Sequence, residues 1–93
     1  MIDLLRQYCL NEVTYPRTTA RIFTHLLDEV DELDVEIDGD PEQKGEDGVF
    51  GESIDVILCA FDLIFRDNPD ITNEEIEAYV LKKLQKWKAK YAS

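Results

Sequence analysis

Glycine, proline, cysteine, histidine and basic residues are all scarce in this 93-residue chain, and each shortage removes possibilities. Four Gly and three Pro leave few points at which the backbone can turn, which favours long helices. The two Cys, at positions 9 and 59, lack the paired spacing of a zinc site or a disulfide framework. Both sit in apolar, helical contexts, so Cys9 and Cys59 read as reduced core thiols of a cytoplasmic protein. Ten Lys and Arg face 21 Asp and Glu, for a net charge of −11. So acidic a surface argues against a nucleic-acid polymer or an anionic membrane as partner, because both need a basic face. It favours cations. No apolar run approaches the ~20 residues of a membrane span. Asp3 and Arg6 interrupt the start, where a secretory leader would be apolar.

What is present is helical patterning over a single domain, 1–93, with 44% hydrophobic residues and a modest core. Residues 2–10 form a short amphipathic helix with Ile2, Leu5, Cys9 and Leu10 on one side. Residues 11–17, with Pro16, are a connector whose Tyr15 and Arg17 lie where they could approach a substrate. Thr18 or Thr19 can cap a second helix that runs to about residue 37. Its apolar stripe is Ile22, Leu26, Val30, Leu33 and Ile37. Beside it His25, Glu29, Glu32 and Glu36 form a polar stripe, while Asp28, Asp31 and Asp34 face solvent.

Residues 38–48 are a loop, acidic and broken by Pro41. Counted from Asp34, its acids and Gly39 resemble a calcium loop. The twelfth position is Gly45 rather than a bidentate Glu, and Pro41 replaces the usual apolar eighth residue, so calcium binding is disfavoured. Residues 49–65 form a third helix, apolar nearly all round and so expected to be buried on most sides. Glu52, Asp55, Cys59 and Asp62 are its narrow polar seam. Pro69 follows the end of that helix. Thr72 and Glu75 have the spacing of a capping box for a last helix. Its core stripe is Ile76, Val80, Leu84, Trp87 and Tyr91, and Lys82, Lys83, Lys86, Lys88 and Lys90 make its end basic. The fold class is all-α, three long helices and a short one. Helix three has more apolar perimeter than a small monomer covers, which implies an antiparallel homodimer.

Chemistry concentrates in two acidic pairs. Glu29 with Glu32, and Glu52 with Asp55, are each three apart and so share a helix face. The second pair lies in an otherwise apolar segment, where a carboxylate is costly unless a cation or donor meets it. Four converging carboxylates ask for a hard divalent cation. Glu29 and Glu32 alone would read as a solvated acidic face; the order of the two pairs and their apolar flanks favour metal binding. Asp62 extends the seam as a further acid near the metal or as a partner for the N-terminal arm. His25, one turn before Glu29, is read as structural rather than in contact with substrate. Cys59 has no base evident beside it and is not a nucleophile candidate.

These residues resemble the MazG-like, all-α nucleoside triphosphate pyrophosphohydrolases, from about Phe23 to Tyr91. The segment from Leu26 to Leu33 looks like that family's first helix signature, and Glu52 to Ile57 like its second. Lys86-Trp87-Lys88-Ala89-Lys90-Tyr91 is similar to its C-terminal ending. The resemblance implies a four-helix MazG-like bundle completed by dimerisation, as a dimer or a dimer of dimers. It implies cleavage of a nucleoside triphosphate between the α- and β-phosphates. Glu29, Glu32, Glu52 and Asp55 would then hold Mg²⁺, with Mn²⁺ as a substitute, and Lys86 and Lys90 would reach phosphate oxygens. The chain departs from the family pattern at Asp28, where Glu is usual, at Asp31, where a small residue is usual, and at Lys90, where Arg is usual. The rival reading is a non-catalytic helical module that binds metal or nucleotide on the same fold.

Overall fold

The computed structural model describes residues 1–12 and 17–91, so the expectations placed on Tyr15 and Pro16 lie outside the described residues. Among the described residues the chain is all-helical. The order is α1 (Ile2–Gln7), a π-helical turn (Tyr8–Glu12), α2 (Thr19–Asp38), a short 3-10 turn (Pro41–Gln43), α3 (Gly48–Asp67) and α4 (Asn73–Tyr91). None of these helices is long and apolar enough to cross a membrane.

The helix limits follow local chemistry. Thr18 caps α2, its hydroxyl accepting from the Arg21 N–H at 3.1 Å. Helix α2 stops at Gly39, whose N–H donates to the Val35 carbonyl at 2.8 Å. A Cβ on Gly39 would come within 2.5 Å of that same carbonyl oxygen, so a side chain there forces the turn to open. Gly48 starts α3 at φ 65°, a conformation that costs glycine little and other residues more. The capping box of α4 is formed. Thr72 Oγ1 accepts from the Glu75 N–H at 3.1 Å, and Glu75 Oε1 accepts from the Thr72 N–H at 3.3 Å. Helix α1 is shorter than the apolar pattern implied, because the chain widens into the π-helical turn from Tyr8. The Cys9 carbonyl in that turn accepts from Arg17 at 3.3 Å.

Helices α2 and α3 pack against each other over most of their length and make the body of the molecule. Ile22 and Phe65 are its fully buried side chains, joined by Cys59 and Ile76. Helix α1 lies on α3. There the Arg6 guanidinium sits 5.0 Å from the centre of the Phe65 ring and donates to the Ile71 carbonyl and to Asn73 Oδ1.

In the apolar stripe of α2, Ile22 is buried but Val30 and Ile37 are exposed. Two further expectations about burial differ from what the chain does alone. The first concerns α4. Its first turn is anchored by buried Ile76 and by Asn73, which donates to Asp3 at 2.7 Å. Beyond that turn every residue from 77 to 91 is exposed, including Val80, Leu84, Trp87 and Tyr91. Their spacing marks a face that wants covering; it does not say that this chain covers it. The second concerns α3, expected to be buried on most sides. Phe50 is 81% exposed, and Ile54, Ile57 and Leu58 also face solvent. The chain exposes 7310 Å². A compact monomer of 10.8 kDa exposes about 5,500 Å².

Candidate metal centre

The loop between α2 and α3 reverses the chain, so each turn back along α2 is matched by a turn forward along α3. In this antiparallel register the second half of α2 faces the first half of α3. Glu32 then meets Glu52, and Glu29 meets Asp55. The four side chains each offer a carboxylate oxygen, and those oxygens all lie within 4.8 Å of one another. Glu32 is exposed and the other three are half-buried. Two of the oxygens, Glu29 Oε2 and Glu52 Oε2, are buried and have no hydrogen-bond partner among the described residues. An unpaired buried acceptor of this kind is destabilising, and a carboxylate more so than a neutral group.

The electrostatics register the same crowding. Burial pushes the Glu52 carboxyl up to about 7, helped by the neighbouring charges of Glu32 and Asp55. Glu29 is also raised, first by burial and then by Glu32 and Asp55, while a hydrogen bond from His25 works against the rise. His25 Nε2 lies 3.1 Å from Glu29 Oε1, so the imidazole orients that carboxylate although most of its own ring is in water. Burial and like charge thus favour the protonated forms of Glu52 and Glu29.

All-oxygen, carboxylate-rich donor sets suit hard divalent cations. The unpartnered oxygens and the spacing fit such an ion held between the two helices. The third and fourth members of the sequence stripes turn to other work. Glu36, buried, accepts from the Gly45 N–H and ties the 38–48 loop to the end of α2. Of the calcium-loop-like stretch that begins at Asp34, the residues through Asp38 belong to α2. Asp62 pairs with Arg17, both side chains largely buried, so the acid serves as partner to the N-terminal arm.

No family model, curated protein or solved structure matches this chain.

One turn along from the acids, the groove opens into a cavity of about 680 Å³ beneath the N-terminal arm. His25 and Cys59 form its border with the acid site, since His25 precedes Glu29 by four residues and Cys59 follows Asp55 by four on the antiparallel helix. Leu4, Tyr8 and Leu58 give it apolar walls, with Asp62 and Arg17 also lining it. Cys9 lines it too; burial, aided by the Asp62 charge, pushes its thiol up to about 11. Cys59 is raised by burial and by the charge of Glu29. Cys59 is a buried core thiol as expected, whereas Cys9 is only partly covered because it lines the cavity; thiols held protonated in this way make poor nucleophiles.

Lys86 and Lys90 stand apart from the acids. Both are exposed on α4, and no ion pair joins either to a carboxylate among the described residues. Lys90 instead lies over its neighbour Tyr91, 5.2 Å from the ring centre. The Arg17–Asp62 pair and the Glu36–Gly45 tie were the features that helical periodicity missed. Asp62, aligned with the seam, was the one signal that pointed towards the first of them.

Proposed function

We propose that the chain is a Mg²⁺-dependent nucleoside triphosphate pyrophosphohydrolase of the MazG-like kind, releasing a nucleoside monophosphate and pyrophosphate. The observation that carries this reading is the meeting of Glu29, Glu32, Glu52 and Asp55, with two buried oxygens left unpartnered. These four hold Mg²⁺, and Mn²⁺ suits the same oxygens. When bound, the metal neutralises the triphosphate and makes water more acidic.

The chain's own residues supply position and exclusion. Glu29 and Glu32 on α2, with Glu52 and Asp55 on α3, define one place for the triphosphate. His25 fixes the Glu29 carboxylate through its 3.1 Å contact. The cavity beyond His25 and Cys59 receives the nucleoside, with Tyr8, Leu4 and Leu58 keeping water from its apolar ring. Lys86 and Lys90, four apart and so on one face of α4, contact phosphate oxygens.

The active form is a homodimer or a dimer of dimers with a four-helix bundle at each centre. The support is area. The chain exposes about 1,800 Å² more than a compact monomer of its mass. That excess lies in the range each protomer buries in an obligate dimer, about 1,000–2,500 Å².

Incubation with each common nucleoside triphosphate and Mg²⁺, followed by product analysis, tests the reaction. Monophosphate and pyrophosphate in equal amounts, lost with EDTA, are expected. Release of orthophosphate and diphosphate would refute the cleavage position. Saturable nucleotide binding without turnover of any of them would favour the rival, a binding module built on the same acids.

A further inference from the structure

We propose that α4 is an exchanged arm. In the homodimer its apolar stripe lies across the exposed apolar face of the second copy's α2–α3 pair and brings Lys86 and Lys90 to that copy's acidic site. The role given to the two lysines rests on the function proposed above; the docking itself rests on surface and charge.

The arm has no support of its own. From 77 to 91 every residue is exposed, and a single helix of that length is marginal in water without a packed face. Yet it carries Val80, Leu84, Trp87 and Tyr91 on one stripe, with Trp87 62% and Tyr91 71% exposed. Its departure from the body is fixed at the base, where Ile76 is buried and Asn73 is held by Arg6 and Asp3. The matching surface is on α3, where Phe50 is 81%, Ile54 40% and Ile57 46% exposed.

Charge selects the occupant. Five of the ten basic residues lie between 82 and 90, a stretch with no acid, and the rest of the chain sets the other five against all 21 acids. A second copy of this chain therefore offers α4 both an apolar face and an opposite charge. At 100° per residue Lys83, Lys86 and Lys90 run along one border of the stripe, so docking it presents a basic edge to an acidic groove. The area of about 1,800 Å² per chain that supports the dimer is the area this exchange covers, so the exchanged arm is itself the contact that completes the bundle. Each acidic site is then completed by the lysines of its partner.

Two experiments test this. Glu52→Gln and a Lys86→Gln/Lys90→Gln variant are each purified, unfolded together, refolded as a mixture and assayed for pyrophosphate release. Lysines acting across the dimer restore activity to about a quarter of wild type, since random exchange makes half the dimers mixed, each with one intact site. Mixed dimers confirmed by mass but without restored activity would overturn the proposal. The second experiment needs no turnover, so it stands even if the wild type acts on no nucleotide. Sedimentation of Leu84→Glu/Trp87→Glu, changed only at exposed positions, should show a helical monomer where the wild type is a dimer. A variant that remains dimeric, or a wild type that is monomeric, would overturn the docking of α4.

Discussion

The α2–α3 pair and α4 are helices of similar length, yet they use their sequences in opposite ways. In α2 and α3 the polar residues are turned inwards, so that four carboxylates meet between two helices. In α4 no acid is enclosed and the apolar residues from Val80 to Tyr91 are left outside, as Phe50, Ile54 and Ile57 of α3 also are. One region is overfull of like charge within the chain, and the other is short of neighbours. Under the proposals above each meets a different partner: the acids a cation, the arm a second copy of the chain. Periodicity alone treats them alike, because it records which residues share a face and not what that face meets.

The comparison breaks most sharply at the acids. Glu52→Ala or Asp55→Ala should lower kcat/KM for pyrophosphate release by about a thousandfold or more while helical circular dichroism is retained. Retention of activity within tenfold would mean that the paired helices do not house the chemistry. On the other side, Lys86→Ala with Lys90→Ala should cost about 10- to 100-fold, chiefly in KM for the triphosphate. Mg²⁺ binding measured without nucleotide should be unaffected, since α4 supplies no metal ligand. A loss of metal affinity in this variant would blur the division between the two regions.

Between these regions lies the Arg17–Asp62 pair, which ties the N-terminal arm to α3. Asp62→Ala removes the carboxylate beside a largely buried guanidinium, which keeps its bond to the Cys9 carbonyl, and should destabilise the protein by about 1–3 kcal/mol, read from denaturant unfolding. A change below about 0.5 kcal/mol would show the pair to be a surface contact of little consequence.

Helix existence was legible from the sequence because its causes are local. The Thr18 cap, the Thr72–Glu75 box and the stop before Pro69 all lie where residue chemistry put them. The convergence of Glu29, Glu32, Glu52 and Asp55 was legible for a related reason. Two pairs on antiparallel helices joined by a loop have few registers, and the one that buries Ile22 together with Phe65 and Cys59 brings the pairs level. The Arg17–Asp62 pair joins residues 45 apart, and no periodicity relates them. Glu36 continued the polar stripe, but the loop's need for an acceptor at Gly45 drew it away. The stripe on α4 was legible as a stripe, but the chain leaves it exposed.

Titration sharpens the contrast further. The folded-state Glu52 carboxyl is raised to about 7 from an ordinary value near 4.5. The folded apo protein therefore binds this proton more tightly than the unfolded chain. The associated stability is fully present below about 4.5 and is lost as pH rises towards 7. Thermal melts of the metal-free protein should show Tm falling over that window, with the fall reduced in Glu52→Gln. Mg²⁺ affinity should rise over the same window, because binding displaces the proton. A Tm that climbs from pH 5 to 7 without metal would contradict the crowding of the acids. The smallest effect belongs to α4, where Thr72→Ala removes the cap and should cost about 1 kcal/mol, with fraying at the helix start visible by amide exchange.

The central claim is that four carboxylates from two helices make one divalent-cation site. Mn²⁺ titration followed by electron paramagnetic resonance of the free ion reads that claim without requiring turnover. Saturable binding of at least one ion per chain, abolished or weakened about tenfold or more in Glu52→Gln, is the expected result. Binding that is absent in the wild type, or equal in the wild type and the variant, would contradict it.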